Sequence, residues 1–94
     1  MFTVTHDARD RLLQKMLRRD AAEDEALRFL RRSGGWKLRL DRAHPADTTF
    51  AHKGRNVLLL DEVVAQAMKS MILETDNTAI GPQLRLRKNT SKKD

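Results

Sequence analysis

The stretch that most constrains the fold of this chain is residues 27–41, where apolar and basic side chains alternate on both sides of a glycine pair. Alternation with a period of two is typical of strands that bury one face, and adjacent glycines supply the positive φ that a tight reversal requires. The stretch therefore predicts a β-hairpin hinged at Ser33-Gly34-Gly35. The apolar residues of its two strands are Leu27, Phe29, Leu38 and Leu40. The only tryptophan, Trp36, follows the hinge directly.

The composition indicates one small globular domain without thiol chemistry. A chain of 94 residues, 39% of them apolar and 34% charged, can build a single modest core. It contains no cysteine, which excludes disulfides, thiolate ligation of an iron–sulfur cluster, cysteine-containing zinc sites and a cysteine nucleophile. The first residues lack the charged and apolar regions of a signal peptide, and no apolar run approaches the roughly 20 residues of a membrane span. We therefore expect a cytoplasmic protein without a cofactor and without a membrane partner.

The charge is strongly positive and unevenly distributed. The formal net charge is +6 and the isoelectric point is about 10.3. Basic residues concentrate in residues 1–19, in the hairpin and in residues 77–94, whereas residues 20–26 carry four acidic side chains. Such a balance raises the affinity for anionic partners.

The N-terminal part predicts a short extended segment, Phe2-Thr3-Val4, followed by a helix. Thr5 is a suitable N-cap, and the helix is expected to run from His6 to about Arg19. One apolar stripe at i, i+4 and i+8 consists of Ala8, Leu12 and Met16. The acidic residues 20–25 predict a solvated loop.

After the first hairpin, the chain predicts a second hairpin and a second helix. The second hairpin consists of Thr48–His52 and Asn56–Leu60 around a turn at Lys53-Gly54. Asp61 is the expected N-cap of a helix that extends to Lys69 or Ser70. Its expected inward residues are Val64, Ala67 and Met68 or Met71.

The C-terminal part predicts two more strands, Met71–Thr75 and Gln83–Arg87, with a turn at Asp76-Asn77-Thr78. Residues 88–94 are polar and charged, so we expect a disordered basic tail after a domain of residues 1–87. The predicted fold class is α+β, a small, mostly antiparallel, β-sandwich-like domain with two helices.

Basic residues around Trp36 suggest binding to an anionic partner. They could contact phosphates of a nucleic acid while the indole stacks on a base. The candidate residues for this function are Arg28, Arg31, Arg39, Arg85, Arg87 and Lys88. Alternatively, Trp36 covers one end of the core beneath the long basic side chains.

Signals for metal binding and catalysis are weak. His44 and His52 flank Asp47, which permits a hypothetical site of two histidines and one carboxylate, but the spacing matches no metal-ligand motif. No serine lies in a G-x-S-x-G elbow, and no phosphate-binding G-x-x-x-x-G-K loop occurs. We therefore predict a protein that is not an enzyme.

The order and spacing of several short segments resemble the HesB/IscA-like family of A-type iron–sulfur carriers. The resemblance extends from Phe2 to about Leu86. The segments that carry it are Thr5-His6-Asp7-Ala8, Leu27-Arg28-Phe29, Ser33-Gly34-Gly35, Pro45-Ala46-Asp47-Thr48-Thr49-Phe50, Lys53-Gly54-Arg55-Asn56-Val57 with Asp61, and Glu74-Thr75-Asp76. The resemblance implies a compact β-rich fold with packed helices.

The same resemblance implies a cluster site that this sequence lacks. Carriers of the family hold iron or a cluster with three cysteines, one after the glycine turn and two in a Cys-Gly-Cys near the C-terminus. Trp36 occupies the first position here, and residues 88–94 contain no Cys-Gly-Cys. The sequence therefore predicts a cysteine-less HesB/IscA-like protein that serves as a partner-binding or accessory protein, linked by analogy to iron–sulfur or sulfur metabolism. Its predicted partner-binding residues are Trp36, Arg32 and Lys37.

Overall fold

Seven strands and two helices make up residues 2–89, the part of the chain that the computed structural model describes. In chain order they are β1 (Thr3–Val4), α1 (His6–Arg18), β2 (Glu25–Arg32), β3 (Gly35–Arg42), β4 (Thr48–His52), β5 (Arg55–Leu60), α2 (Glu62–Ala67), β6 (Met71–Thr78) and β7 (Gly81–Lys88). Residues 90–94 of the predicted tail lie outside the described residues. Neither helix in the described range is long and apolar enough to cross a bilayer.

The strands form two sheets that share one core. One sheet has the order β1-β6-β7 and the other has the order β3-β2-β5-β4. The pairs β2–β3, β4–β5 and β6–β7 are antiparallel hairpins, whereas β1–β6 and β2–β5 are parallel. The prediction of a mostly antiparallel α+β domain with two helices is confirmed. In the four-stranded sheet, β3 and β4 are the edge strands.

Helix α1 packs against both sheets through the predicted apolar stripe. Ala8, Leu12 and Met16 are fully buried, and they lie on one face because their spacing of four matches the helical repeat. The Thr5 side chain accepts a hydrogen bond from the Ala8 amide (3.1 Å), which confirms it as the N-cap. The opposite wall of the core is β5, in which the four residues 57–60 are all buried.

The base of the β2–β3 hairpin is organised by a buried arginine. Arg28 is 5% exposed. Its Nε donates to Asp41 Oδ2 (2.7 Å), and its two terminal nitrogens donate to the two carboxylate oxygens of Asp47 (3.0 and 2.6 Å). It also donates to the Arg42 carbonyl oxygen and contacts His44 Nδ1. Arg28, a candidate residue for nucleic-acid binding, is therefore buried beneath the loop between β3 and β4 and already paired, rather than available to phosphates.

Two other local predictions differ from the structure. Residues 76–78 belong to β6 rather than to a turn, because they pair with β7 in continuous register and the reversal occurs at Ala79-Ile80. Helix α2 ends at Ala67, which is exposed, and packs inward through Val64, Ala65 and the following Met68. The last strand continues to Lys88, and the Asn89 amide donates to the Ser70 carbonyl oxygen (2.7 Å).

We predict that Asp47→Asn lowers the free energy of unfolding by about 3 kcal/mol, because it removes one partner of a buried ion pair and leaves the Arg28 charge undercompensated. The Asp47 side chain is 2% exposed and that of Arg28 is 6% exposed. Urea denaturation followed by circular dichroism measures the change. Asp24→Asn is the matched control, because it breaks the Asp24–Arg42 pair, whose side chains are 63% and 64% exposed; its effect should be far smaller. Equal effects of the two substitutions would contradict a structural role for the buried pair.

We also predict an acid-sensitive fold. Hydrogen bonds from Arg28 hold the pKa of Asp47 and the pKa of Asp41 below the usual value for aspartate. In the unfolded chain both carboxyls titrate near about 3.9. Since the native state binds these protons less readily, the stabilisation is complete above that pH and is lost as the pH falls through the lower native pKa values. Thermal melting from about pH 6 downwards should show a steep loss of stability below about pH 4, and the loss should be shallower in Asp47→Asn. A melting temperature independent of pH in this range would be inconsistent with the low native pKa values.

Candidate partner-binding groove

A groove lies between the tip of the β2–β3 hairpin and the start of β6. It has a volume of about 470 Å³, and we call it the Trp36 groove. The hairpin contributes Phe29, Trp36 and residues 31–35; the segment after α2 contributes Met68 and Met71, and β7 contributes Leu86. The floor is therefore apolar, whereas two arginines, Arg31 and Arg32, stand at its rim.

Trp36 belongs partly to the core and partly to the groove. Its ring stacks on Phe29 with a centroid separation of 5.1 Å and an interplanar angle of 13°. Phe29 lies opposite Leu38 in the ladder, so Trp36 is its diagonal neighbour on the same face of the sheet. Phe29 is 1% exposed, whereas Trp36 is half-buried. A stacked pair of this kind stabilises the fold by about 1 kcal/mol beyond the effect of the apolar area that it buries. The arrangement leaves part of the indole accessible to a ligand.

The hairpin carries four exposed cations, three near its tip and Arg39 further along β3, that the described protein does not neutralise. Arg31, Arg32, Lys37 and Arg39 are exposed. None of the four forms an ion pair or a side-chain hydrogen bond with another residue in the range 2–89. Of the predicted partner-binding residues, the structure thus brings together Trp36 and Arg32 at the groove and places Lys37 next to Trp36 on β3. Their role in binding stays a prediction.

Of the remaining candidate residues for nucleic-acid binding, the two arginines of β7 are already paired with acidic residues. Arg85 donates to Asp76 (2.7 Å) and Arg87 donates to Glu74 (2.8 Å), in both cases across the β6–β7 hairpin. The hydrogen bond to Asp76 raises the pKa of Arg85. Lys88 is exposed and lies opposite Met71 in the same ladder, beside the groove.

The hypothetical metal ligands lie in separate parts of the molecule. His44 and Asp47 are both engaged with Arg28 at the base of the hairpin. His52 is 8% exposed, and its Nε2 lies 3.0 Å from Asp10 Oδ1 on α1. That hydrogen bond is the main reason that the pKa of Asp10 is lowered. Among residues 2–89, no three histidine, cysteine, aspartate or glutamate side chains converge on one point.

Comparison with solved structures identifies the architecture. Escherichia coli SufA, described as involved in the biosynthesis of iron–sulfur clusters, matches with a TM-score of 0.66 and 16% sequence identity over 96% of this chain and 87% of SufA. IscA, solved with its [2Fe-2S] cluster, matches with a TM-score of 0.57 and 17% identity over 94% and 85% of the two chains. The chain has the fold of the HesB/IscA-like proteins. A protein from Aquifex aeolicus also matches, with a TM-score of 0.59 and 17% identity over 92% and 89%.

The resemblance that the sequence suggested is therefore confirmed at the level of the fold. No protein-family model matches the chain, and no curated protein matches it. At 16–17% identity, the structural matches establish architecture and not activity.

The residues of the Trp36 groove do not fit an iron–sulfur cluster. The sequence contains no cysteine, and the indole of Trp36 offers an N–H donor rather than a ligand for iron. The other polar groups at the groove are two guanidinium groups and the Ser33 hydroxyl. A guanidinium stays protonated and cannot coordinate a metal. The groove therefore suits an apolar group accompanied by negative charge.

Sequence reasoning missed Phe29, Met68 and Met71 as members of the site. The sequence indicates Met68 and Met71 only as alternative core residues of the second helix, since spacing along one helix does not reveal which distant strand lies above it. The alternation of Leu27 and Phe29 with Arg28 did indicate that Phe29 points inward.

We predict that anions quench the fluorescence of Trp36 more strongly than cations do, because the unpaired arginines create a positive potential at the groove. Trp36 is the only tryptophan and the chain has no tyrosine, so its emission reports on this site alone. Iodide and caesium quenching at matched ionic strength measures the difference. In the Arg31→Gln/Arg32→Gln variant the difference should shrink, while quenching by neutral acrylamide should stay the same. Equal quenching by iodide and caesium in the native protein would refute the positive groove.

Proposed function

We propose that this chain is a non-catalytic protein that binds another protein through the Trp36 groove, with Trp36, Arg32 and Lys37 as its main contact residues. The observation that carries the proposal is the combination of a half-exposed tryptophan on an apolar floor with neighbouring cations that have no partner among the described residues. Tryptophan and arginine are enriched among the residues that dominate binding energy at protein interfaces.

The state of Trp36 favours binding of an apolar side chain. Its stacking on buried Phe29 holds the indole in one orientation before any partner arrives, and a preorganised contact residue loses little conformational freedom on binding. The sulfur-containing side chains of Met68 and Met71 adapt to different shapes. An apolar group of the partner would thus gain contact area without rearrangement of the hairpin.

The fold suggests the cellular context of this interaction. SufA is described as involved in iron–sulfur cluster biosynthesis, and we infer by analogy that this protein acts as an accessory factor in iron–sulfur or sulfur metabolism in the cytoplasm. It would contact the machinery without carrying a cluster, since its donor atoms do not suit one. The protein would thus share the fold of the carriers, and the residues at the glycine turn would bind a partner protein instead of a cluster.

Nucleic-acid binding is the second candidate function. The exposed Arg31, Arg32, Lys37 and Arg39 favour it, because four cations on one hairpin can contact phosphates. Surfaces that bind single strands usually offer several aromatic platforms, whereas Trp36 is the sole exposed aromatic in the groove and one of its faces is covered by Phe29. We therefore rank this function below protein binding.

We predict that Trp36→Ala weakens binding to the physiological protein partner by more than about tenfold, because truncation of a central aromatic contact typically costs about 2 kcal/mol or more. Affinity purification with the tagged native chain identifies candidate partners, and titration calorimetry with each purified candidate gives the dissociation constant. Arg32→Glu and Lys37→Glu should weaken binding as well.

The matched control is Ile80→Ala. Ile80 is 85% exposed, lies in the turn between β6 and β7 and does not line the groove. The Ile80→Ala substitution should leave the dissociation constant for the partner unchanged. If Trp36→Ala recovers and binds the same proteins as the native chain, the groove is not the binding site and the proposal fails.

A further inference from the structure

Strand β3 presents a long, regular and unpaired edge next to the Trp36 groove. It is the outermost strand of its sheet and spans eight residues, Gly35–Arg42. Arg32 and Gly35 flank the Ser33-Gly34 turn as a cross-strand pair, and successive pairs in an antiparallel ladder alternate between hydrogen-bonded and non-hydrogen-bonded. In a hairpin with a two-residue turn, the pair next to the turn is hydrogen-bonded. The alternate residues of β3 therefore direct their backbone N–H and C=O groups away from β2, to the open side. These residues are Trp36, Leu38 and Leu40. No other strand within residues 2–89 pairs with that side.

Two other sheet edges of the protein are blunted in ways that β3 is not. Strand β4 is short, has a register shift at Phe50/Ala51, and its Ala51 carbonyl oxygen accepts a hydrogen bond from Arg9 (2.7 Å). Strand β1 has only two residues. Proteins use short strands, irregularities and covering groups of this kind to prevent unwanted strand addition. The edge of β3 has neither a bulge nor a proline. Of the features that prevent unwanted strand addition, it has only charged side chains.

Strand β7 also forms an edge, but the charges of its two arginines are already neutralised. Its Arg85 and Arg87 are bound to acidic residues of β6, and Pro82 lies near its start. On β3, in contrast, Lys37 and Arg39 form no ion pair with any of the described residues. Asp41, the acidic residue further along the strand, is bound by Arg28. A strand placed beside β3 would therefore meet two uncompensated cations, and acidic side chains would face them favourably.

We propose that β3 binds an extended acidic segment of a partner protein as an additional strand, with acidic side chains beside Lys37 and Arg39 and an apolar side chain in the Trp36 groove. The proposal rests on the proposed function and specifies the partner's binding segment. Because side chains alternate between the two faces of a strand, the segment that fits has acidic and apolar residues in alternation. Backbone hydrogen bonds would provide affinity and the groove would select the apolar residue.

Other occupants fit these observations less well. If a second copy of this chain paired through its own β3, the lysine and arginine side chains of the two copies would come close to one another, and like charges on neighbouring strands repel. A nucleic acid would satisfy the cations but has no peptide backbone to pair with the open edge. The acidic peptide segment matches the charge, the open hydrogen-bonding groups and the apolar groove together.

The test uses the full chain and a synthetic peptide of about eight residues, the length of β3, with alternating glutamate and valine or leucine and capped ends. The peptide contains no tryptophan, so Trp36 emission reports its binding directly. We expect the emission of Trp36 to change with peptide concentration until the site is saturated. The dissociation constant of the complex should rise with salt concentration. The Lys37→Glu/Arg39→Glu variant should bind the peptide at least about tenfold more weakly, whereas Lys69→Glu, an exposed lysine outside the groove, should bind it like the native chain.

A modified peptide tests the strand pairing separately from charge. The same peptide with N-methyl groups at every second residue loses the amide donors on one edge, and it should bind at least about tenfold more weakly. Equal affinity of the methylated peptide, or of a peptide with lysine in place of glutamate, would overturn the proposal. So would tighter, salt-sensitive binding of oligo-dT, or a concentration-dependent dimer in light scattering that Lys37→Gln/Arg39→Gln strengthens.

The outcome also separates this inference from the proposed function. A purified partner whose binding depends on Trp36, but which neither competes with the acidic peptide nor responds to Arg39→Glu, would remove the strand-addition mode and leave the proposed function standing. Absence of any Trp36-dependent protein partner would instead contradict the proposed function.

Discussion

The arrangement of the hairpin depends on the buried guanidinium of Arg28. This side chain links three consecutive parts of the chain: its own strand β2, Asp41 on β3, and Asp47 in the loop that leads to β4. A buried cation without partners is strongly unfavourable, whereas one with all its donors satisfied is tolerated. The hydrogen bonds from Arg28 therefore constrain the loop to lie over the outer face of the sheet, and they secure an edge strand whose only neighbour is β2.

The two ends of the hairpin differ in how their cations are neutralised. At the base, the acidic residues Asp41 and Asp47 neutralise Arg28, and Asp24 binds Arg42. At the tip, the exposed Arg31, Arg32 and Lys37 form no ion pair with another residue in the range 2–89. The cations available to a partner are thus those that remain after the protein has satisfied its own ion pairs. The overall charge of +6 is a poor guide to this surface, because it counts paired and unpaired cations alike.

Local signals predicted most of the fold, and long-range contacts explain what they missed. The N-caps Thr5 and Asp61, the helical stripe of α1 and the hairpin turns depend on neighbouring residues, and the structure contains them. The burial of Arg28 could not be inferred from alternation, since a period of two marks two faces without telling which one a later loop covers. Residues 76–78 have turn-forming side chains, but pairing with β7 and the Asp76–Arg85 ion pair keep them in a strand. The groove could not be predicted from local signals either, because it forms only when three segments distant in the sequence pack together.

Trp36 follows the glycine turn of the hairpin, and its surroundings determine what the groove can accommodate. The resemblance to A-type carriers implies a thiolate ligand at this position, and positive charge nearby would favour such an anion. In this chain the cations are present, and the residue after the turn is an aromatic ring. Because Phe29 covers one face of that ring, the groove has room for a single apolar group against the other face and not for a row of stacked bases. The same stacking that joins Trp36 to the core therefore limits what can bind to it, and this limit is the physical basis of our proposal of a polypeptide rather than a nucleic-acid partner.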